Sequence, residues 1–221
     1  MELFDASLFT GLDVTDRSFL NNHVEVQTFI KDSFIFNKGD QADMLYVLKS
    51  GLLKMTQFRS GTTKEEIVCL IDIGDQFCLA PLLEEATHHM SAIAIEKCEV
   101  YVLKRADIMN LIDQSHDFSR RVIKVLAKKE CDLCEEVCDL SLNTTKERLA
   151  KYLLKQFEKK GNAEPFQIPL SQSDLAGFLG TVRESVSRDL AAFKKAQLIQ
   201  VEQGNIKVLD YDGLKRMAER G

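Results

Sequence analysis

Four residues near the end of the chain have the types and spacing to read the edges of base pairs. Arg183, Glu184, Ser187 and Arg188 fall at i, i+1, i+4 and i+5, so on a helix they share one face. A guanidinium can bond guanine O6 and N7 bidentately, and a carboxylate can accept from cytosine N4. The set therefore suits G·C pairs. The competing reading is a solvated face whose Arg and Glu pair along the helix. Gln172, Ser173 and Thr181 have short polar side chains that can bond phosphate oxygens and fix register without reading sequence. Ser171 next to them suits a helix cap instead.

The six cysteines are the other chemistry-bearing set. Cys131, Cys134 and Cys138 fall at i, i+3 and i+7, one stripe of a helix. Cys69, Cys78 and Cys98 come from a region of short apolar runs. Thiolates are soft ligands suited to zinc or iron–sulfur clusters, but cysteine is also a common small buried hydrophobe. The chain opens Met1-Glu2-Leu3-Phe4-Asp5, acidic and with no apolar core behind it, which does not read as a secretory signal. A cytoplasmic, reducing location is expected, with the cysteines as thiols, ligands or redox sensors rather than structural disulfides.

The elements that must position these residues are legible in the periodicity. From Val24 to about Leu103, short apolar runs alternate with turn residues. Ser33–Phe36 stops at Asn37-Lys38-Gly39-Asp40, Met44–Leu48 at Lys49-Ser50-Gly51, Leu52–Met55 at Arg59-Ser60-Gly61, and Ile67–Ile71 at Gly74-Asp75. Ile93–Ile95 and Val100–Leu103 follow. Strands this short with regular turn signals predict an antiparallel roll, barrel or sandwich. Ser7 to Leu20 reads as a short helical preface.

From Phe118 to Leu140 there is no Gly or Pro, and Ile123, Leu126, Leu133, Val137 and Leu140 keep 3–4 spacing with Glu130 in the missing place. That pattern predicts a long helix with a dimer seam. The alternative is a helix packed on its own sheet. The cysteine stripe is displaced by roughly a quarter turn from the seam, and is expected to face the β-rich half. Asn143-Thr144-Thr145 interrupts the helix. The predicted domains are residues 1–112, an effector-sensing β-roll; 113–142, the dimerisation helix; and 143–221.

The last segment starts with an amphipathic helix over Lys146–Phe157, ended by Lys159-Lys160-Gly161-Asn162. Ser171 supplies an N-cap with Asp174 at the third helical position. A helix over Gln172–Leu179, a stop at Gly180 and a helix from Val182 to about Ala196 make a helix-turn-helix. Leu198–Val201, Gln203-Gly204-Asn205 and Ile206–Leu209 read as a hairpin wing. The predicted class is α+β, a β-roll, a long helix and a winged helix-turn-helix.

Composition fits this division. The chain has 221 residues, 45% hydrophobic and 29% charged, enough for two modest cores. No apolar run approaches the roughly 18 residues of a membrane span. Up to Leu142 there are 15 Lys/Arg against 24 Asp/Glu, a net charge of -9; the remainder carries 14 against 10, or +4. An acidic front and a mildly basic back suggest a nucleic-acid module at the C-terminal end. No P-loop, G-x-S-x-G, H-E-x-x-H or paired catalytic constellation is present, so an enzyme is not expected.

Nearly the whole chain resembles the Crp/Fnr regulators. In the first half the resemblance rests on Lys38-Gly39-Asp40, Leu45-Tyr46-Val47-Leu48-Lys49-Ser50-Gly51 and Gly74-Asp75-Gln76-Phe77. In the second it rests on Lys146-Glu147-Arg148-Leu149-Ala150, on Leu170–Ala176, and above all on Leu179-Gly180-Thr181-Val182-Arg183-Glu184-Ser185-Val186-Ser187-Arg188-Asp189-Leu190. The resemblance implies a cyclic-nucleotide-binding-type roll and a homodimer that regulates transcription by reading an inverted repeat in double-stranded DNA, with RNA polymerase as a partner. The other reading is a sensor whose helical module binds a protein instead of specific DNA.

In the nucleotide-binding members a Gly-Glu pair and a later Arg-Ser or Arg-Thr cradle the cyclic phosphate. Here Cys78-Leu79 stands for the first and Met90-Ser91 for the second. A phosphate buried without a cation is costly, so cyclic AMP is not expected as the effector. The region around Cys78, Leu79, Met90 and Ser91 remains the candidate effector pocket for another ligand. Haem is one option, with Cys78, His88 and His89 as axial candidates; an iron–sulfur or other metal site, a thiol switch, or inert cysteines are the others. The cluster-binding relatives carry their cysteines near the N-terminus, whereas this chain has none before Cys69.

Overall fold

A computed structural model describes residues 1–58, 65–159, 161, 165–202 and 204–219. The expected turn Arg59-Ser60-Gly61 lies outside the described residues, as do Lys160, Asn162 and Gln203 of the other expected turns. The chain divides into two compact units, Met1–Cys131 and Asp132–Gly221.

The first unit opens with a 3-10 turn at Leu3–Asp5 and helix α1 (Val14–His23). The helical preface expected from Ser7 thus begins later. Gly11 takes a positive φ and breaks the chain, and the Asp13 carboxylate caps α1 by accepting from Asp16 N–H at 2.8 Å. Eight strands follow among the described residues, in two stretches: β1 (Glu25–Phe29), β2 (Phe34–Phe36), β3 (Met44–Ser50), β4 (Leu53–Phe58), β5 (Glu65–Ile71) and β6 (Gln76–Phe77); then, after α2 (Leu79–Leu83), β7 (Ser91–Ala94) and β8 (Cys98–Lys104). Helices α3 (Arg105–Gln114) and α4 (His116–Leu142) follow. The strands form two antiparallel four-stranded sheets, ordered β1-β8-β3-β6 and β2-β7-β4-β5.

Alternation explains the two cores. On β3, Tyr46 and Leu48 point one way and Leu45 and Val47 the other; on β8, Val100 and Val102 oppose Tyr101 and Leu103. The first set meets Phe36, Leu53, Met55, Ala92 and Ala94 of the facing sheet. The second set meets Leu20, Leu79, Leu82, Ile108, Leu111, Phe118 and Val122, so helices cover that outer face. Both faces of this sheet are buried at β3 and β8, which is why those strands read as continuous apolar runs. Gly51 is needed where the strands fold over. It has φ +92°, and an added Cβ would lie 2.6 Å from the Cys98 sulfur and 2.7 Å from the Lys97 carbonyl.

In the second unit α4 ends at Leu142, and the break expected at Asn143-Thr144-Thr145 separates it from α5 (Thr145–Lys159). Strand β9 (Phe166–Gln167), α6 (Gln172–Phe178), α7 (Arg183–Lys195), β10 (Ile199–Glu202), β11 (Asn205–Val208) and α8 (Tyr211–Ala218) complete it. The wing is a three-stranded sheet, β10-β11-β9, with β9 added to the expected hairpin.

Candidate nucleic-acid interface

The helix-turn-helix is set by capping and by two half-buried arginine bonds. Ser171 caps α6, its Oγ accepting from Asp174 N–H at 3.1 Å. Gly180 makes the turn at φ +64°. Arg148 Nε donates to the carbonyl of Leu179, at the end of α6, at 3.0 Å, and its Nη1 donates to the Asn143 carbonyl just past α4. That guanidinium ties the turn to the end of the long helix. The motif Lys146–Ala150 carried this signal in the sequence, yet its role as a tie was not legible there. An added Cβ at Gly180 would lie 3.5 Å from Leu140, so the turn also packs on the last turn of α4.

Val186 and Phe193 are fully buried on the inner side of α7, with Asp189 nearly so. The opposite side exposes Arg183, Glu184, Ser187 and Arg188. These four line one concavity of about 420 Å³ together with Gln172 and Ala191. The base-reading candidates and one phosphate candidate are thus brought together. Ala191 was not singled out from the sequence. Arg188 Nη2 donates to Ser185 Oγ at 3.2 Å, an intrahelical bond that holds the guanidinium along the exposed face. Ser173 is exposed, and Thr181 is half-buried, its N–H donating to the Ala176 carbonyl at 2.9 Å. Glu184 in the first turn of α7 and Lys194 and Lys195 in its last match the helix dipole. A second concavity, about 460 Å³, lies on the wing and is lined by Pro165, Gln200, Glu202, Asn205 and Lys207.

The four candidates in the roll separate. Cys78 sits in the left-handed region at φ +68°, ahead of α2. Burial pushes its thiol well above the usual range, with Cys69 adding to the shift. Met90 and Cys78 pack at the edge of the inter-sheet core. Leu79 does not join them; its side chain is in the helix-covered core on the other face of the sheet. Ser91 is buried, and its hydroxyl accepts from Lys38 N–H at 2.9 Å. Between the sheets, His88 stacks on Phe36 with centroids 3.7 Å apart, and Tyr46 stacks on Phe77 at 5.2 Å. Burial lowers the His88 pKa, so the stacked ring is neutral near pH 7. Cys98 is a packing residue whose thiol donates to the Leu52 and Glu96 carbonyls.

On α4 the expected seam divides. Ile123, Leu133, Val137 and Leu140 are 65%, 48%, 61% and 58% exposed. Leu126 instead packs against the core of the first unit, beside Val125. The cysteine stripe also differs from expectation. Phe118, Val122 and Val125 mark the face of α4 that packs on that core. At about 100° per residue, Cys131, Cys134 and Cys138 lie close to the opposite side. All three are exposed, and Cys131, the one of them within the first unit, does not pack on the roll.

Comparison with known proteins agrees with this architecture. Residues 26–115 match the cyclic nucleotide-binding domain and residues 147–217 the Crp-like helix-turn-helix domain. The chain is 29% identical over 213 residues to the Cyclic AMP receptor protein of Thermus thermophilus, covering 96% of both. It is 27% identical to the Transcriptional activator protein Anr of Pseudomonas protegens, covering 81% of this chain and 75% of that one. Among solved structures, FixK2 from Bradyrhizobium japonicum shares the fold with a TM-score of 0.79 at 21% identity, over 88% of this chain and 96% of that one. The two matched domains, in this order and joined by the long helix, are those of a regulator and not of an enzyme, and the chain belongs to the Crp/Fnr family of transcription regulators.

Proposed function

We propose that the protein acts as a homodimer that reads an inverted repeat in double-stranded DNA and regulates transcription with RNA polymerase as its partner. The observation that carries this reading is that Arg183, Glu184, Ser187, Arg188 and Gln172 line one exposed concavity. A recognition helix lays its first turns in the major groove, and Arg183, Glu184, Ser187 and Arg188 occupy the first two turns of α7, with Gln172 beside them at the start of α6. Arg188 reads a guanine, Glu184 a cytosine, and Gln172, Ser173 and Thr181 hold phosphates. The half-site then contains a G·C pair within a T-G-A core. Residues 1–112 form the sensor, 113–142 the dimerisation helix and 143–221 the DNA-binding domain. No helix among the described residues is long and apolar enough to cross a membrane, in keeping with a cytoplasmic regulator.

Selection from randomised duplexes on the wild type and Arg188→Ala tests the reading. The wild type should return a two-fold symmetric consensus. Arg188→Ala should lose about 1–3 kcal/mol and relax preference at one position of each half-site. Uniformly weaker binding with unchanged base preferences would make Arg188 a phosphate contact and overturn its assignment.

The effector differs from that of the relative named as a cyclic AMP receptor. The site that would hold a cyclic phosphate has Met90 in the place of an arginine, the Ser91 hydroxyl engaged by Lys38, and Leu79 turned into another core. Calorimetry with cyclic AMP should show no tight binding; a stoichiometric, tight isotherm would contradict this account of the pocket.

A further inference from the structure

Cysteine is among the most buried residue types, yet α4 exposes three. They share a stripe within about 60° of helix rotation, at i, i+3 and i+7. Nothing in the core requires them, since Phe118, Val122 and Val125 do the packing on the other side of this helix. By heptad position the stripe flanks the apolar seam of Leu133 and Val137 without belonging to it.

Helical geometry decides what these thiols can hold. Neighbours at i,i+3 and i,i+4 have Cβ atoms about 5–6 Å apart. A disulfide needs about 3.5–4.5 Å, so bridging Cys134 to either neighbour covalently would require the helix to deform. Two sulfurs bound to one metal ion, each at about 2.3 Å by the zinc–thiolate standard, can stand much farther apart than two bonded sulfurs. A two-thiolate ion therefore fits the regular helix. Among the described residues no group of three or more His, Cys, Asp or Glu is arranged to hold a metal ion. Zinc and iron–sulfur clusters take four ligands, more than this stripe supplies, whereas an ion content with two soft ligands fits it.

We infer that Cys134, paired with Cys131 or Cys138, binds a soft cation of the copper(I) class on the exposed side of α4. Copper(I) selects thiolate ligands. Binding is a ligand exchange without oxidation: one Cu⁺ and two thiols give a bis-thiolate complex of charge -1 and release two protons to solvent. Cys134 is the shared ligand because Cys131 and Cys138 are seven residues apart, about 10 Å along the axis, too far to pair with each other.

The test is an anaerobic titration of the reduced, metal-free full-length protein with copper(I) against the chromogenic chelator bicinchoninate, without DNA. It is therefore separate from the DNA reading. The wild type should withdraw a single equivalent per chain. Cys134→Ser should lose it, as should the Cys131→Ser/Cys138→Ser double variant, while each of those single variants should keep it. Cys69→Ser, in the roll, should behave as wild type. Circular dichroism checks that the variants remain folded, which is expected for serine at exposed positions. Retention of the tight equivalent by Cys134→Ser, its loss in Cys69→Ser, or a mass decrease of two hydrogens on titration (a disulfide in place of a complex) would each overturn the assignment.

Discussion

Val137→Glu and Leu133→Glu are each expected to yield a monomer in place of the proposed dimer while leaving the chain folded. Four apolar side chains, Ile123, Leu133, Val137 and Leu140, stand about half exposed or more along one side of α4. Covering the exposed half of such side chains gains roughly 1 kcal/mol each, and a two-fold dimer counts every one of them twice. No such gain opposes monomer formation once a carboxylate sits at the centre of the seam, because two glutamates would be buried face to face. Within one chain the same substitution removes little, since these side chains are not core. Light scattering should report monomer mass, with helicity retained. Affinity for a two-half-site duplex should fall by about 10²–10⁴-fold as the second contact ceases to be intramolecular. Persistence of the dimer in both variants would show that the seam lies elsewhere.

Phe118→Ala is expected to have the largest effect on stability. Phe118 is fully buried and stacks on Phe9 with centroids 5.9 Å apart and planes 16° from parallel. It sits with Leu20, Ile108 and Leu111 in one buried cluster, and close-packed interiors relax only partly into a vacated volume. Large-to-small changes of this kind cost about 3–5 kcal/mol, measured here as a lowered midpoint of urea unfolding for the unit Met1–Cys131. A cost below about 1 kcal/mol would mean that the start of α4 is not anchored in that core. The contrast with Leu133 is the useful one. One helix holds its first three turns in a core and leaves the apolar side chains of its later turns exposed, the surface proposed to meet a partner.

The legible parts of the fold were those where period and burial coincide. Strands β3, β4, β5, β7 and β8 and helices α4 to α7 all carry their apolar residues at the spacing of the element they form. Strand β1 escaped attention as a distinct element because it is an edge strand with four exposed residues in five, Glu25–Thr28, and little alternation to detect. Helix α2 holds Pro81 in five residues and is defined by packing, through Leu79 and Leu82, more than by propensity. That same packing removes Leu79 from the effector candidates: no pattern in Phe77–Pro81 reveals which of two cores each side chain enters.

The exposed face of α7 that is proposed to read DNA was legible because exposure on that helix follows from helix spacing alone. The cysteine stripe was not. A stripe lying to one side of a seam can face the roll or turn away from it, and helix spacing gives the angle without the hand. Within the first unit, the packing of Phe118, Val122 and Val125 shows which flank of α4 meets the core, and Cys131 lies on the other flank, exposed. Leu126 illustrates the same limit, since a 3–4 pattern cannot tell a residue that meets a partner from one that meets its own core.

The central claim, two recognition helices held by one two-fold axis, is tested most directly by changing the phase of the half-sites. Taking the selected inverted repeat, about five base pairs are inserted at its centre, half a helical turn, so that one half-site faces the far side of the duplex. The account predicts that binding falls to the level of a single half-site. Unchanged affinity for the inserted duplex would contradict it, because the chain would then be reading each half-site independently.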